Sequence, residues 1–436
     1  MQIKWMEGKN DSVYLNTSLE KRFTVIPNRL NINLGCIKIP VRVIFTNQIS
    51  KEVIGLSENI KEIVSIPTLL AYEIRLEERN IYIGPIIAIC VNKKKKSLTQ
   101  KVLKRTTSRF RNCSESTGLI YICTVEGINT EKKQIEGYYY DPNAVTRKKK
   151  FKKGIFPFPN SLYVRTKIPE KIYHDLLNSM GEKIFNSYFF DKVELWEYVK
   201  SEQDLVTHFP DTTTVHDINE VITMLIKHSS IYLKPARGSL GHGIIKIILK
   251  NGEYIIKKHS GEIFIFKSKA ELEEWLKKTL NTKYIVQKGV NLEFNKQIVD
   301  FRIYMQKNKS MNWKSTGYIA RFSKEGEVTT NTQNLDVIKN GKETLKKVFN
   351  IKEDRVDDIE KYMKSTCTAI CEYLDKSVGN FGDVAIDFII DSDFKIWILE
   401  INKRYFTKTL KQLQDKSLFY EVRSKPLEYA RALSGF

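Results

Sequence analysis

The sequence predicts a chain of the α+β and α/β classes, built from several domains rather than one. Three observations predict it. The length of 436 residues leaves room for two or three domains at roughly 100–200 residues each. Apolar residues make up 42% and aromatics 11% of the chain, enough for sizeable cores and unlike a disordered composition. The texture also changes along the chain, from short β-branched segments to longer alternating helices and strands at about Asn186.

Residues 1–90 read as a β-rich module. VRVIF (41–45), KEVIGLS (51–57), YEIRLEE (72–78) and NIYIGPIIAI (80–89) are short strand candidates separated by turns. Residues 91–185 read as a small α/β domain: a helical stretch after the lysine run, then GLIYICTVEGI, KQIEGYYYDP and FPNSLYVRT as extended pieces. From residue 186 to 436 the elements lengthen. DKVELWEYVKS, KAELEEWLKKTL and DRVDDIEKYMKSTCTAICEYLDKS have helical spacing. SIYLKPA, GIIKIILK, KYIVQKGV, VDFRIYMQKN, KSTGYIARFS, DVAIDFIIDSD and FKIWILEIN read as strands.

No run approaches the roughly 20 apolar residues of a membrane span, and MQIKWMEGKN lacks the apolar stretch of a secretory signal. The six cysteines are dispersed, with no CxxC pair. Cys367 and Cys371, four apart on a predicted helix, read as small buried residues rather than half a metal site. These features predict a cytoplasmic protein with reduced thiols. The formal charge is +21. Between Val91 and Glu170 there are 19 Lys and Arg against 6 Asp and Glu. Such an excess is either a solvated face or a surface for an acidic or polyanionic substrate. Arg109, Arg111 and Arg165, outside the lysine runs and beside apolar residues, are the candidate contacts.

Three motifs carry chemistry. Lys234-Pro-Ala-Arg-Gly-Ser-Leu-Gly-His-Gly243 joins two apolar strands, so it is no Walker loop. A glycine-rich β-turn can lay backbone N–H groups on phosphate oxygens, with Lys234 as a point charge; a plain hairpin is the alternative. Asp387 stands mid-strand in VAIDFII, where an apolar run should hold no carboxylate. Glu400 and Asn402, at i and i+2 in WILEIN, share one face. Hard oxygens from two strands suit Mg²⁺; the alternative is a salt bridge from Asp387 to Arg302 or Arg321. Tyr284-Ile-Val-Gln287-Lys288-Gly-Val290 is a strand ending that could face a nucleobase or merely link two lobes.

The order of DK, the glycine loop, VQKGV, DFR and D…ExN resembles the ATP-grasp superfamily. Within it, GPIIAI, FPNSLYVR, YLKPARGSLGHGI, YIVQKGVNL, VDFRIYMQKN, GYIARFS and ILEIN resemble the endospore coat-associated YheC/YheD-type family, from about residue 25 to 405. The resemblance implies an ATP-grasp fold over 186–436. A nucleotide lobe (186–288) and a metal and catalytic lobe (289–436) would sandwich ATP, with the two earlier domains in front. It implies that Lys192 and Lys234 hold phosphates and that Ser239, Gly241 and Gly243 close over them. Gln287, Lys288 and Val290 would meet the adenine. Arg302, Arg321 and Lys234 would act at the transferred phosphoryl, and Asp387, Glu400 and Asn402 would bind Mg²⁺. His242 and the segments Asn331-Thr-Gln-Asn-Leu and Lys403-Arg-Tyr-Phe depart from the family pattern, the last two on the acceptor side.

The expected activity is Mg-ATP-dependent phosphorylation of a small-molecule or peptide carboxylate to an acyl phosphate, followed by attack of an amine. No protein nucleophile is needed, and no GxSxG or HExxH motif is present. A spore-associated nucleotide-binding protein without turnover, or a polyanion-binding protein, are the competing readings.

Overall fold

The computed structural model describes residues 1–8, 10–22, 28–113, 117–146, 150–238, 240–331 and 333–436. They form four sheets in chain order. The first has seven strands, in the order Gln2–Met6, Val53–Ser57, Ser12–Asn16, Ile37–Thr46, Arg29–Leu34, Asn80–Gly84, Glu73–Glu77. The second runs Phe151–Pro157, Gln134–Tyr140, Leu119–Asn129, Ile86–Asn92, Ser161–Val164, Ile184–Phe185.

The division drawn at residue 90 falls inside Ile86–Asn92, a strand of the second sheet; the sheets change at Gly84-Pro85. Both faces of this strand are buried, and side chains alternate between them. Ile86, Ala88 and Cys90 join the core that also contains Ile3, Ile32 and Ile81 of the first sheet. Ile87 and Ile89 face Leu427, Tyr429 and Ala430 of the C-terminal helix Ser417–Leu433. The first two regions therefore share one core. The last helix of the chain covers the second sheet, where Ser161 donates to the carbonyl of Ala430 at 2.7 Å.

The third sheet is antiparallel: Thr212–Val215, Tyr284–Lys288, Ser230–Pro235, Ile245–Lys250, Glu253–Lys258, Ile263–Phe266. Helices Ile218–His228 and Lys269–Thr279 close its core with Leu225, Leu272 and Leu276. The fourth sheet, also antiparallel, runs Leu335–Asn340, Trp313–Ser323, Gln297–Lys307, Asp383–Ile390, Ile396–Asn402. One face buries Phe301, Ile303, Ile386 and Phe388 under the 25-residue helix Glu353–Ser377. Helix Lys192–Val199 packs in the same core through Leu195 and Val199, so its hydrophobic side belongs with the second lobe and not with the nucleotide lobe. Its start is fixed by a capping box: Asp191 accepts from the N–H groups of Val193 and Glu194, while Glu194 accepts from that of Asp191. No helix among the described residues is long and apolar enough to cross a membrane.

Cys367 and Cys371 are both fully buried in the core of the fourth sheet, and burial pushes both thiols up, that of Cys367 to about 12. They are packing residues. Cys367→Ser places a hydroxyl in that core and is expected to lower the unfolding free energy by about 1–3 kcal/mol. A urea midpoint equal to the wild type would show that the site tolerates a polar group.

Candidate active site between the two lobes

The fourth sheet gathers its polar side chains on the face opposite its helix-covered core. Asp300 and Arg302 are two apart on one strand. Arg321 lies opposite Asp300, Asp387 opposite Arg302, and Glu400 opposite Asp387; Asn402 pairs with Ala385, two residues from Asp387. Residues opposed across an antiparallel pair point to the same side, so all six share one surface. The Asp300 carboxylate was not singled out from sequence. The signal was there: like Asp387, it interrupts an apolar strand.

The charges alternate. Arg302 donates to both oxygens of Asp387 at 2.6 and 2.7 Å. Arg321 donates to both oxygens of Asp300 at 2.6 Å each and stands 3.1 Å from Asp387. Thr330 also donates to Asp300, and the Asn402 amide donates to Asp387 at 3.3 Å. Burial works to raise the Asp387 carboxyl, yet Arg302 and Arg321 hold it below the usual carboxylate range. Burial prevails at Asp300, whose carboxyl is raised although Arg321 opposes it. Both salt-bridge partners considered for Asp387 are therefore present.

The third sheet supplies the facing wall. Lys234 ends its strand and donates to Gln287 Oε1 at 2.5 Å; Gln287 Nε2 donates to Thr212 at 2.9 Å. The Gln287 side chain thus orients the lysine. Lys288 and Val290 line the same cavity, and Gly289 is tied to the Ser230 carbonyl at 2.7 Å. Burial pushes the Lys234 amine down to about 8, with Glu400 acting in the opposite sense and Lys192 in the same one. Lys192 Nζ lies 3.4 Å from Glu400.

Lys192, Lys234, Gln287, Arg321, Asp387 and Glu400 all border one inter-lobe cavity of about 80 Å³. Small-molecule sites are usually about 300–1,000 Å³, so this cleft is closed down. Ile244, just after the glycine loop, lines its wall. Gly241, at φ +82°, lies so close to the Asn331 amide and the His259 ring that a Cβ there would overlap both. Gly243, at φ +77°, packs on Pro235. Through Asn331 the loop touches the second lobe. Ser239 lies outside the described residues. Tyr232 and Thr330, also in the cavity wall, were not foreseen; Asn331, which opens one of the segments that depart from the family pattern, lines it too.

Asp387, Glu400 and Asn402 offer two carboxylates and an amide oxygen on neighbouring strands, a hard-oxygen set that fits Mg²⁺. Among the described residues no three His, Cys, Asp or Glu side chains form a ready metal cluster. A metal bound here would have to share the Asp387 oxygens with Arg302 or displace it.

The arginines picked out as candidate substrate contacts do not form an open surface. Arg109 is 5% exposed, against the Tyr163 ring. Arg165 pairs with Asp383 at 3.2 Å and donates to the Tyr405 carbonyl. Arg165 joins the second sheet to the fourth, and Arg109 donates to the Arg423 carbonyl of the C-terminal helix at 3.4 Å. Lys95 and Lys153 both pair with Glu136 on the surface. Lys148, Lys149 and the side chain of Arg111 lie outside the described residues.

Residues 181–433 match the family model described as YheC/D like ATP-grasp. The chain is 26% identical over 374 residues to the endospore coat-associated protein YheD of Bacillus subtilis (strain 168), covering 81% of this chain and 80% of that one. To YheC of the same organism it is 25% identical over 237 residues, 51% of this chain and 62% of that one. Among solved structures it is similar to the VanG D-Ala:D-Ser ligase from Enterococcus faecalis, at 13% identity and a TM-score of 0.47, over 79% of this chain and 98% of that one. Because the family match takes in both lobes and more than half of the sequence, the chain belongs to the YheC/D-like ATP-grasp family and has the ATP-grasp fold.

Proposed function

We propose that the protein is an ATP-dependent ligase that activates a carboxylate by phosphorylation and passes the acyl group to an amine. One observation carries the reading: Lys234 from the third sheet meets Lys192, Asp387 and Glu400 from the second lobe in a single closed cleft, and the glycine loop touches Asn331 of its wall. A carboxylate oxygen of the substrate attacks the γ-phosphorus, and the bond to the ADP oxygen breaks. The amine then attacks the acyl carbon and inorganic phosphate leaves. Phosphoryl transfer of this kind needs positioning and charge neutralisation rather than a protein nucleophile. Lys192 and Lys234 hold phosphate oxygens. Arg321 fixes Asp300 and Asp387 and acts as a positioning residue. Arg302, released from Asp387, stands beside the transferred group. Asp387, Glu400 and Asn402 would hold Mg²⁺, which would supply further charge neutralisation. The names of the Bacillus relatives support a spore-associated setting.

The test is ADP release by the full chain with Mg-ATP and pools of carboxylates, with hydroxylamine present to trap acyl phosphate as hydroxamate. Carboxylate-dependent ADP and hydroxamate support the ligase. Tight nucleotide binding with no ADP from any pool favours a protein without turnover, a reading consistent with the two-pronged hold of Arg302 on Asp387.

A further inference from the structure

A second chamber, of about 380 Å³, lies beyond the Lys192–Glu400 pair, and both residues line it as well as the first cavity. Lys167 enters its wall from the second sheet's side. Phe189 and Phe190 form an apolar side, and Arg237 and Lys403 complete it. The chamber therefore touches the segment that departs from the family pattern just after Asn402.

Its charges are unevenly matched. Asp191 caps its helix at 3.0 and 3.1 Å from two backbone N–H groups and stands 3.4 Å from Arg237. Glu194 completes the capping box at 2.6 Å from the Asp191 N–H. Glu400 faces Lys192. Two cations remain. Among the described residues, the Lys167 side chain makes no hydrogen bond or ion pair. The Lys403 ammonium donates to the Phe190 carbonyl and lies 3.6 Å from that ring's centroid, with no carboxylate in contact. Lys167 is exposed, but Lys403 is half-buried, and a partly buried cation without a carboxylate in contact is unfavourable unless an anion joins it.

We infer that this chamber is the acceptor subsite and that it selects a substrate with a second carboxylate, held by Lys403 and Lys167, while the reactive carboxylate reaches past Lys192 and Glu400. The inference rests on the ligase reading. Four basic and three acidic side chains line the chamber, Lys167, Lys192, Arg237 and Lys403 against Asp191, Glu194 and Glu400. One excess positive charge suits a singly charged carboxylate. A phosphate dianion would meet the three acids with greater repulsion.

Glutarate and monomethyl glutarate are the probes, titrated at constant ionic strength into the full chain with Mg²⁺ and AMPPNP. Glutarate is expected to bind at least about tenfold more tightly, the value of one charge-assisted contact. Lys403→Met should remove the preference and Lys403→Arg should keep it; Lys167→Met serves if Lys403→Met does not fold. Equal binding of the two probes, no glutarate binding, or a preference that survives Lys403→Met overturns the inference. Stabilisation by AMPPNP alone is measured in the same samples. If it is absent, the nucleotide reading fails as well; if it is present and the probes bind equally, only the chamber's assignment is lost.

Discussion

Lys234→Ala is expected to abolish the thermal stabilisation that nucleotide gives the wild type. The side chain leaves the end of a strand whose backbone is paired on both sides, with Leu233 and Ile245 in register in one direction and Lys234 with Ile285 in the other. The ladder does not depend on the amine, so the variant should fold. The amine touches Gln287 and borders the cleft. A charge-assisted hydrogen bond to phosphate contributes about 1.5–3 kcal/mol, so affinity should fall by roughly tenfold to a hundredfold or more. At a nucleotide concentration of about 100 Kd, binding adds about 2.7 kcal/mol of stability; after a hundredfold loss about 0.4 kcal/mol remains. Undiminished stabilisation of the variant would show that Lys234 holds no phosphate.

The same lysine gives a pH signature. Its amine is pushed down to about 8 from an ordinary 10.5, burial being the main cause. Phosphate binds the protonated form. Nucleotide affinity should therefore fall as pH rises above 8, and Lys234→Arg should flatten that fall. In the free protein the sign is opposite. Between pH 8 and 10.5 the unfolded chain binds more protons at this group than the folded one, so its contribution to stability grows with pH across that window.

The residues explain which features could be read from sequence. Asp387, Glu400 and Asn402 stood out because a carboxylate in an apolar strand breaks a period-two pattern, and period two also fixes the shared face. Helix Lys192–Val199 was equally legible as a helix, but an amphipathic stripe does not say which core receives it; Leu195 and Val199 go to the second lobe. Strand Ile86–Asn92 is apolar on both faces, so its pattern could not show that it leaves the first sheet while still packing against it. Arg109 and Arg165 looked like substrate contacts because they sit among apolar residues. The same setting describes arginines buried at a junction, and Asp383, the partner of Arg165, is 218 residues away in sequence.

Glu400→Gln should keep the fold and remove the ADP production of the wild type. The substitution preserves shape and one oxygen acceptor but deletes the charge that faces Lys192 across the two chambers. The Glu400 side chain is 36% exposed, so an amide there is solvated and stability should change little. If the carboxylate holds Mg²⁺ at the transferred phosphoryl, loss of that charge should slow ADP release by about a thousandfold, on the order of 4 kcal/mol of barrier. Asp387→Asn separates chemistry from architecture. Asp387 is 4% exposed and is held by two guanidiniums. Removing its charge leaves Arg302 without its carboxylate partner, and breaking such a buried pair costs about 3–5 kcal/mol. The two variants should therefore diverge: Glu400→Gln inactive with a near-wild-type melting temperature, Asp387→Asn inactive and markedly less stable. ADP release by Glu400→Gln within tenfold of the wild type would remove Glu400 from the metal site and leave it as the ion partner of Lys192.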